Sequence, residues 1–268
     1  MSGESSRSAD VWAGGAAYEP YVGRWSRLVA RQFLAWLAVP PGGRWLDVGC
    51  GTGALSQTIL AEGSPREVKG LDASAGYVAF AREQVCDERV QFEIGDAQAL
   101  PEDAASYGAV VTGLVLNFVP QPARMVAEMA RVARSGGVVA AYVWDYAGQM
   151  QLMRHFWDAA VVLDAGAQEL DEGRRFPICH PDRLAELWRQ AQLGAVETRA
   201  IDVPTRFRNF DDYWSPFLGG QGPAPSYAMS LGEERRSALR ERIRAGLPVA
   251  LDGAIHLIAR AWAVRGVR

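Results

Sequence analysis

Hydrophobic and polar positions follow two different periods along the chain. From Trp25 the apolar residues recur at helical spacing until a Pro-Pro-Gly-Gly run begins at residue 40. Beyond it, short apolar runs alternate with helical stretches, and seven strands are predicted within RWLDVG, EVKGLDAS, VQFEIGDA, YGAVVTGLVL, GGVVAAYVW, AVETRAIDVPTRF and GAIHLIARAWAV. Strands separated by helices indicate an α/β fold with a doubly wound, mostly parallel sheet, whose ligands bind beyond the carboxyl ends of the strands.

One long segment, residues 145–190, interrupts this alternation. Its pattern is mostly helical, and it is longer than a minimal crossover between strands. Because it leaves the fifth strand on the ligand-binding side of the sheet, we expect a helical cap insertion over the site. A helix that merely completes one sheet face is the alternative. We further expect a flexible N-terminal segment over residues 1–20 and a single domain over residues 21–268.

Composition and charge exclude several functions. The 268 residues carry a formal net charge of -3, so the broad basic surface that binds nucleic acid is not expected. No apolar run approaches the roughly 20 residues of a membrane helix, and the polar N-terminal segment lacks the apolar core of a secretory signal. These features predict a soluble, cytoplasmic protein without a nucleic-acid or membrane partner, and they leave the oligomeric state open.

The cysteines and acidic residues do not predict a metal site. Cys50, Cys86 and Cys179 are too scattered for a disulfide framework or a zinc pattern. The acidic residues form no coherent set of metal ligands. We therefore expect no metal.

A glycine-rich turn follows the first predicted strand and consists of Gly49, Cys50, Gly51, Thr52 and Gly53. Such a turn lets a ligand approach the backbone closely, and the amides of the next helix start can face it. The turn alone also satisfies the permissive dinucleotide fingerprint, so an NAD-dependent oxidoreductase is a competing interpretation.

Three acids provide the context of this turn. Asp47 precedes it, where a carboxylate would repel a pyrophosphate but attract a cationic amino group or sulfonium. Asp72 ends the second predicted strand and is placed to accept hydrogen bonds from ribose hydroxyls. Asp96 ends the third, within reach of an adenine edge if the base lies across that strand end.

Taken together, these motifs resemble those of the class I S-adenosylmethionine-dependent methyltransferases. The matching segments are LDVGCGTG, GLDAS, GDAQALP, YGAVVTGLVLNFVPQP and MARVARSGGVV, in order over residues 28–144. The chain ends resemble bacterial small-molecule enzymes of the type 11, quinone-biosynthesis-like branch. The resemblance implies a Rossmann-like fold and S-adenosylmethionine as the cofactor.

The resemblance also implies roles for individual residues. Asp47 and the glycine turn would hold the methionine moiety of the cofactor, and Asp72 in the GLDAS segment its ribose. The remaining cofactor contacts implied by the matching segments are Ala73, Ser74, Asp96, Ala97, Gln98 and Leu114. Asp96, Ala97 and Gln98 would contact the adenine. Cys50 is expected to pack beneath the cofactor, not to act as a nucleophile.

Residues outside these motifs are open to two interpretations. Tyr21 and Arg24 could fold over the carboxylate of the cofactor, or they could belong to a packed and solvated helix face. His155, in the proposed cap, is our candidate for a general base if one is used, with a structural role as the alternative. Phe118 is expected to line the pocket beside Asn117.

The predicted function is methyl transfer from S-adenosylmethionine to a small-molecule acceptor. A quinone-biosynthesis-like C-methyltransferase is one version, and an O- or N-methyltransferase of specialised metabolism is another. A non-catalytic S-adenosylmethionine-binding regulatory protein is the alternative outside enzymes. The sequence identifies neither the acceptor nor the methylated atom.

Overall fold

A computed structural model describes residues 23–219 and 222–268. The predicted flexible segment over residues 1–20 and the predicted cofactor contact Tyr21 lie outside the described residues.

Seven strands form one sheet in the part of the chain that the structure describes. They are β1 (Arg44–Val48), β2 (Glu67–Asp72), β3 (Val90–Ile94), β4 (Tyr107–Gly113), β5 (Ala133–Trp144), β6 (Gly194–Phe207) and β7 (Ile255–Val267). Their order across the sheet is β3-β2-β1-β4-β5-β7-β6. The first five strands are mutually parallel, whereas β7 runs antiparallel to both β5 and β6. The predicted doubly wound, mostly parallel sheet is confirmed.

Helices connect and cover these strands. They are α1 (Arg24–Leu37), α2 (Ala54–Glu62), α3 (Ala75–Gln84), α4 (Pro122–Val132), α5 (Gln151–Leu163), α6 (Glu172–Arg175), α7 (Pro181–Gln190), α8 (Phe210–Trp214), α9 (Pro223–Ser230) and α10 (Glu233–Gly246). Short 3-10 turns lie at Leu116–Phe118, Ala165–Glu169 and Ser215–Leu218.

Helix α1 shows how the apolar period becomes structure. Val29 and Phe33, one turn apart, are fully buried, and Leu37 is nearly so. The helix ends where Ala38 adopts a left-handed φ of 49° and its amide bonds back to Leu34. The buried face packs mainly against α2, β6 and β7.

The strand order reverses between β1 and β4, which lie side by side in the centre of the sheet. At such a point the connections leave in opposite directions and open a crevice at the carboxyl ends of the strands. The turn after β1 and the residues after β4 therefore face each other across this crevice.

The segment 145–190 divides between two environments. Trp188 of α7 is fully buried and donates a hydrogen bond to the Val139 carbonyl of β5 at 2.9 Å, so α7 completes a sheet face. Phe176, between α6 and α7, makes an edge contact with Phe118, the ring centroids lying 5.2 Å apart. The helix-on-sheet alternative thus describes α7, while the cap stays a prediction for the rest of the segment.

Candidate active site

The turn between β1 and α2 is held against the neighbouring strand. The amides of Gly49 and Cys50 both donate to the Leu71 carbonyl, at 2.7 and 2.9 Å. Gly49 has a φ of 75°, and a Cβ there would lie 2.6 Å from a methyl carbon of Val115. Only glycine fits a position with both restrictions. At Gly51, by contrast, a Cβ would meet no atom within 4 Å, so the turn is open on that side.

Asp47 is the buried acid of the site, with only 1% of its surface exposed. Its Oδ2 accepts a hydrogen bond of 2.6 Å from the Ser56 hydroxyl. Its Oδ1 is buried and has no hydrogen-bond partner among the described residues. Burial raises the pKa of Asp47 to about 7, although hydrogen bonds from Ser56 act in the opposite direction. A buried carboxylate oxygen in this state fits a cationic ligand group.

Asp72 lies at the end of β2 and joins the turn to the next helix. Its Oδ2 accepts from the Gly51 amide at 2.9 Å, and its Oδ1 accepts from the Ser74 amide at 2.8 Å. Ser74 in turn caps α3 by accepting from the Tyr77 amide. The carboxylate is therefore fixed at the crevice by two backbone donors.

The crevice encloses a cavity of about 290 Å³. Its lining residues are Ser26, Asp47, Gly49, Cys50, Gly51, Thr52, Ala54, Leu55, Asp72, Ala73, Ser74, Tyr77, Gly113, Leu114, Val115, Phe118 and Tyr142. The structure thus brings together most of the residues predicted from the glycine turn and the second strand end, together with Leu114. Phe118 lines the cavity as expected.

The wall opposite the turn is built from β4 and β5. Gly113 pairs with Tyr142, and a Cβ on Gly113 would lie 2.5 Å from the Tyr142 hydroxyl. Leu114 follows with a left-handed φ of 63°, and its amide donates to the Tyr142 carbonyl at 2.8 Å. A branched residue in this backbone region is strained, and such strain is typical of ligand sites.

Gly53 belongs to the turn but not to the cavity lining. Its φ of 83° starts α2, and a Cβ there would lie 3.0 Å from a Val85 methyl carbon. Its role in the structure is to let α2 pack against α3 and β3. Its predicted cofactor contact stays a prediction.

The third predicted acid lies in a different setting. Asp96 is exposed, and its Oδ1 accepts from the Gln98 amide at 2.8 Å. Gln98 Oε1 accepts from the Gln121 amide at 3.0 Å, which ties this turn to the start of α4. Neither residue, nor Ala97 between them, is among the cavity-lining residues. Their contact with an adenine stays a prediction.

Arg24 and His155 also lie outside the cavity lining. The Arg24 guanidinium stacks on the rings of Trp25 and Phe207, at 4.2 and 4.9 Å from their centroids. His155 is half-buried in α5, and burial lowers its pKa, which the nearby Asp158 partly opposes. The roles predicted for these two residues stay predictions.

Cys50 lines the cavity with a buried thiol. Burial and the nearby carboxylates of Asp47 and Asp72 raise its pKa well above the usual value, which disfavours the reactive thiolate. Within residues 23–219 and 222–268, no group of three His, Cys, Asp or Glu side chains is placed to hold a metal ion. No helix in these ranges is long and apolar enough to cross a membrane.

Several lining residues were not predicted. Tyr77 could have been found from its place five residues after the strand-end acid, and burial raises its pKa to about 12. Gly113 could also have been predicted, because it ends a strand at the point where the strand order reverses. Tyr142 and Ser26 lie inside a strand and a helix, and only their packing brings them to the cavity.

The comparisons with known proteins agree with this geometry. Residues 46–141 match the family described as a methyltransferase domain. A demethylmenaquinone methyltransferase of Roseiflexus castenholzii is 35% identical over 181 residues, which are 62% of this chain and 75% of that protein. This chain belongs to the class I S-adenosylmethionine-dependent methyltransferases. The methyltransferase uses S-adenosylmethionine to methylate a small-molecule acceptor.

Two further proteins are similar to this methyltransferase, one in sequence and one in fold. A ubiquinone biosynthesis O-methyltransferase of Burkholderia pseudomallei is 30% identical over 179 residues, which are 63% of this chain and 73% of that one. The solved phosphoethanolamine N-methyltransferase 2 of Haemonchus contortus, in complex with S-adenosyl-L-methionine, superposes with a TM-score of 0.57. Its 15% identity, over 94% of this chain and 56% of that one, shows a common fold alone.

Proposed function

We propose that this methyltransferase binds the amino group of S-adenosylmethionine at Asp47 and the rest of its methionine moiety along the glycine turn. The observation that carries this proposal is that Asp47 lines the cavity and that its Oδ1 is buried without a hydrogen-bond partner among the described residues. A cationic amino group would supply the hydrogen bonds and the charge that this oxygen lacks. Asp72 would accept from the ribose hydroxyls, and the segment from Asp96 to Gln98 would contact the adenine.

When bound, this cofactor supplies an activated methyl group on a sulfonium. The protein then has to align the acceptor, exclude water and, where the acceptor carries a proton, allow its removal. The strained turn at Leu114 and the ring of Phe118 form the cavity wall that would orient the acceptor. His155 remains our proposed base for acceptors that must lose a proton.

We also propose that the acceptor is an aromatic, quinol-type molecule. The relatives named for demethylmenaquinone and ubiquinone biosynthesis support this class. Aromatic side chains continue from the cavity lining, because Phe118 contacts Phe176, and Phe176 contacts Tyr146 at 5.8 Å between ring centroids. Such rings favour flat aromatic ligands. Residues 145–190 would then cover the acceptor through Phe176, within a single domain over residues 21–268.

Cofactor binding is tested by calorimetric titration with S-adenosylhomocysteine. Asp47→Asn should weaken binding at least tenfold, because it removes the charge that pairs with the amino group. Asp103→Asn, a change at an exposed aspartate away from the cavity, is the matched control and should leave binding unchanged. Equal affinity of the wild type and Asp47→Asn would reject the proposed amino-group site.

The acceptor class is tested with labelled S-adenosylmethionine and a panel of 1,4-naphthohydroquinone, catechol and an aliphatic amine. Label should transfer to the aromatic acceptors, and NMR spectra of the products distinguish C- from O-methylation, which give products of equal mass. Transfer to the amine alone would reject the quinol-type acceptor. Saturable cofactor binding without any transfer would favour a regulatory binding protein. A cytoplasmic location stays a prediction from the sequence.

A further inference from the structure

Ser56 has no role in the proposed function so far, yet it makes a close polar contact with the site. It is the third residue of α2 and is fully buried. Its hydroxyl donates to Asp47 Oδ2 at 2.6 Å. A buried hydroxyl of this kind keeps its partner carboxylate in one orientation, because rotating the carboxylate would break the bond.

Because of this contact, the two carboxylate oxygens of Asp47 differ in their hydrogen bonding. Oδ2 is satisfied by Ser56 from the helix side, whereas Oδ1 has no partner in the described ranges of the chain. We infer that Ser56 is a positioning residue for the cofactor, which orients Asp47 so that Oδ1 faces the amino group of S-adenosylmethionine. The inference rests on the proposed function, since it takes Asp47 as the amino-group site.

The electrostatic surroundings of Asp47 make its ionisation depend on the Ser56 hydroxyl. Among the described residues, the charge that acts on Asp47 is that of Asp72 on β2, which also raises the pKa of Asp47. The buried thiol of Cys50 carries no compensating charge, because its own pKa is raised. In the part of the chain that the structure describes, it is Ser56 that favours the ionised carboxylate, through its hydroxyl and its backbone amide. Removing the hydroxyl should leave Asp47 harder to ionise and free to rotate.

The test uses two ligands that differ at the amino-acid end. S-adenosylhomocysteine carries the amino group, whereas 5′-deoxy-5′-methylthioadenosine has the same nucleoside and thioether without it. In Ser56→Ala, the affinity for S-adenosylhomocysteine should fall about tenfold near pH 7, while that for the truncated ligand should change less than about twofold.

A matched control lies on the same helix. The Thr58 hydroxyl donates to the Ala54 carbonyl at 2.8 Å, and Thr58 is also buried. Thr58→Val removes a buried hydroxyl of α2 that does not contact Asp47, so it should leave the affinity ratio of the two ligands unchanged. Ser56→Cys, which nearly preserves the volume but donates weakly, should lower the ratio and covers the case in which Ser56→Ala does not fold.

A pH series adds a readout that packing alone would not change. With the wild type, the affinity for S-adenosylhomocysteine should rise with pH as Asp47 ionises, around pH 7. In Ser56→Ala this rise should move to higher pH, and in Asp47→Asn it should disappear. The titration of the ligand's own amino group is common to all variants and does not change the comparison.

The outcomes separate the inference from the proposal beneath it. If Asp47→Asn loses the preference for the amino-acid ligand but Ser56→Ala and Ser56→Cys keep it, the positioning role is wrong and the amino-group site stands. If Asp47→Asn also keeps the preference, the amino-group site itself is wrong. An equal loss of affinity for both ligands in the Ser56 variants would show a packing role and overturn the inference.

Discussion

At Gly49 a single missing Cβ determines whether the turn can approach the residues that follow β4. The left-handed backbone and the Val115 methyl carbon at 2.6 Å restrict this position independently. Gly51 has a similar backbone, with a φ of 52°, but open space where a Cβ would point. Alanine substitutions at Gly49 and Gly51 therefore distinguish the destabilisation caused by backbone strain from that caused by a steric clash.

We predict that Gly49→Ala lowers the free energy of unfolding by roughly 3 kcal/mol, because strain and overpacking add. Gly51→Ala should cost about 1 kcal/mol, from strain alone. Urea denaturation of the two variants and the wild type measures both values. Equal losses in the two variants would contradict the assigned clash with Val115.

Asn117 is a second residue whose burial lowers the stability of the fold. It is 8% exposed, and both its amide nitrogen and its amide oxygen lack hydrogen-bond partners within the described part of the chain. Its neighbour Phe118 lines the cavity. A buried amide without partners destabilises a protein and is tolerated where a ligand uses it.

Asn117→Leu should therefore raise the free energy of unfolding by about 1 kcal/mol, because it replaces an unpaired amide with an apolar group of similar shape. It should also raise KM for an aromatic acceptor while leaving the affinity for S-adenosylhomocysteine unchanged. Chemical denaturation and steady-state kinetics measure the two effects. A loss of stability with unaltered KM would show that the amide is structural.

Among the elements, α5 and α6 are joined by two polar contacts. Trp157 donates a hydrogen bond to Glu172, and Arg154 pairs with Asp171 through bonds of 3.1 and 2.7 Å. Glu172 is buried, and burial raises its pKa to about 7. The folded protein thus holds this proton more tightly than the unfolded chain, so stability falls as pH rises from about 4.5 through about 7.

Glu172→Gln should consequently raise the melting temperature at pH 8 and have little effect at pH 5, because glutamine resembles the protonated acid and can still accept from Trp157. Glu169→Gln, at an exposed position, is the control and should behave like the wild type at both pH values. Thermal melts of the three proteins measure the difference. A stabilisation of equal size at pH 5 and pH 8 would contradict the raised pKa of Glu172.

The elements and the glycine turn could be predicted because their signals are local. Strand and helix periods, the helix end before Pro40 and the acids at strand ends all lie within a few neighbouring residues. Tyr142 could not be predicted, because it reaches the cavity only where Gly113 of the adjacent strand lacks a side chain. Ser56 has no local signal either, since its partner lies nine residues away across a turn.

At the scale of the whole molecule, β6 forms one edge of the sheet. Strand β7 lies between β6 and β5 and pairs with β5 in antiparallel orientation. Pro204 sits within β6, where an edge position tolerates the missing amide. The antiparallel pair lies away from the crevice between β1 and β4. Ligand binding at the crevice should stabilise the fold without rearranging this edge.

Saturation with S-adenosylhomocysteine should raise the free energy of unfolding by mass action, by about 2.7 kcal/mol at roughly a hundred times its Kd. NAD at the same concentration should leave it unchanged, because its pyrophosphate would face the Asp47 carboxylate. Denaturation curves with each ligand measure this. Stabilisation by NAD alone would contradict the cofactor assignment.

The pair of Asp47 and Ser56 has a further consequence for turnover. The amino-acid end that we assign to this pair is identical in the methyl donor and in the demethylated product. Contacts at this end therefore bind both molecules, and only the methyl group and the positive charge on sulfur distinguish the donor from the product. Product inhibition is the expected result, and the rate in a cell should follow the ratio of donor to product more closely than the concentration of donor alone.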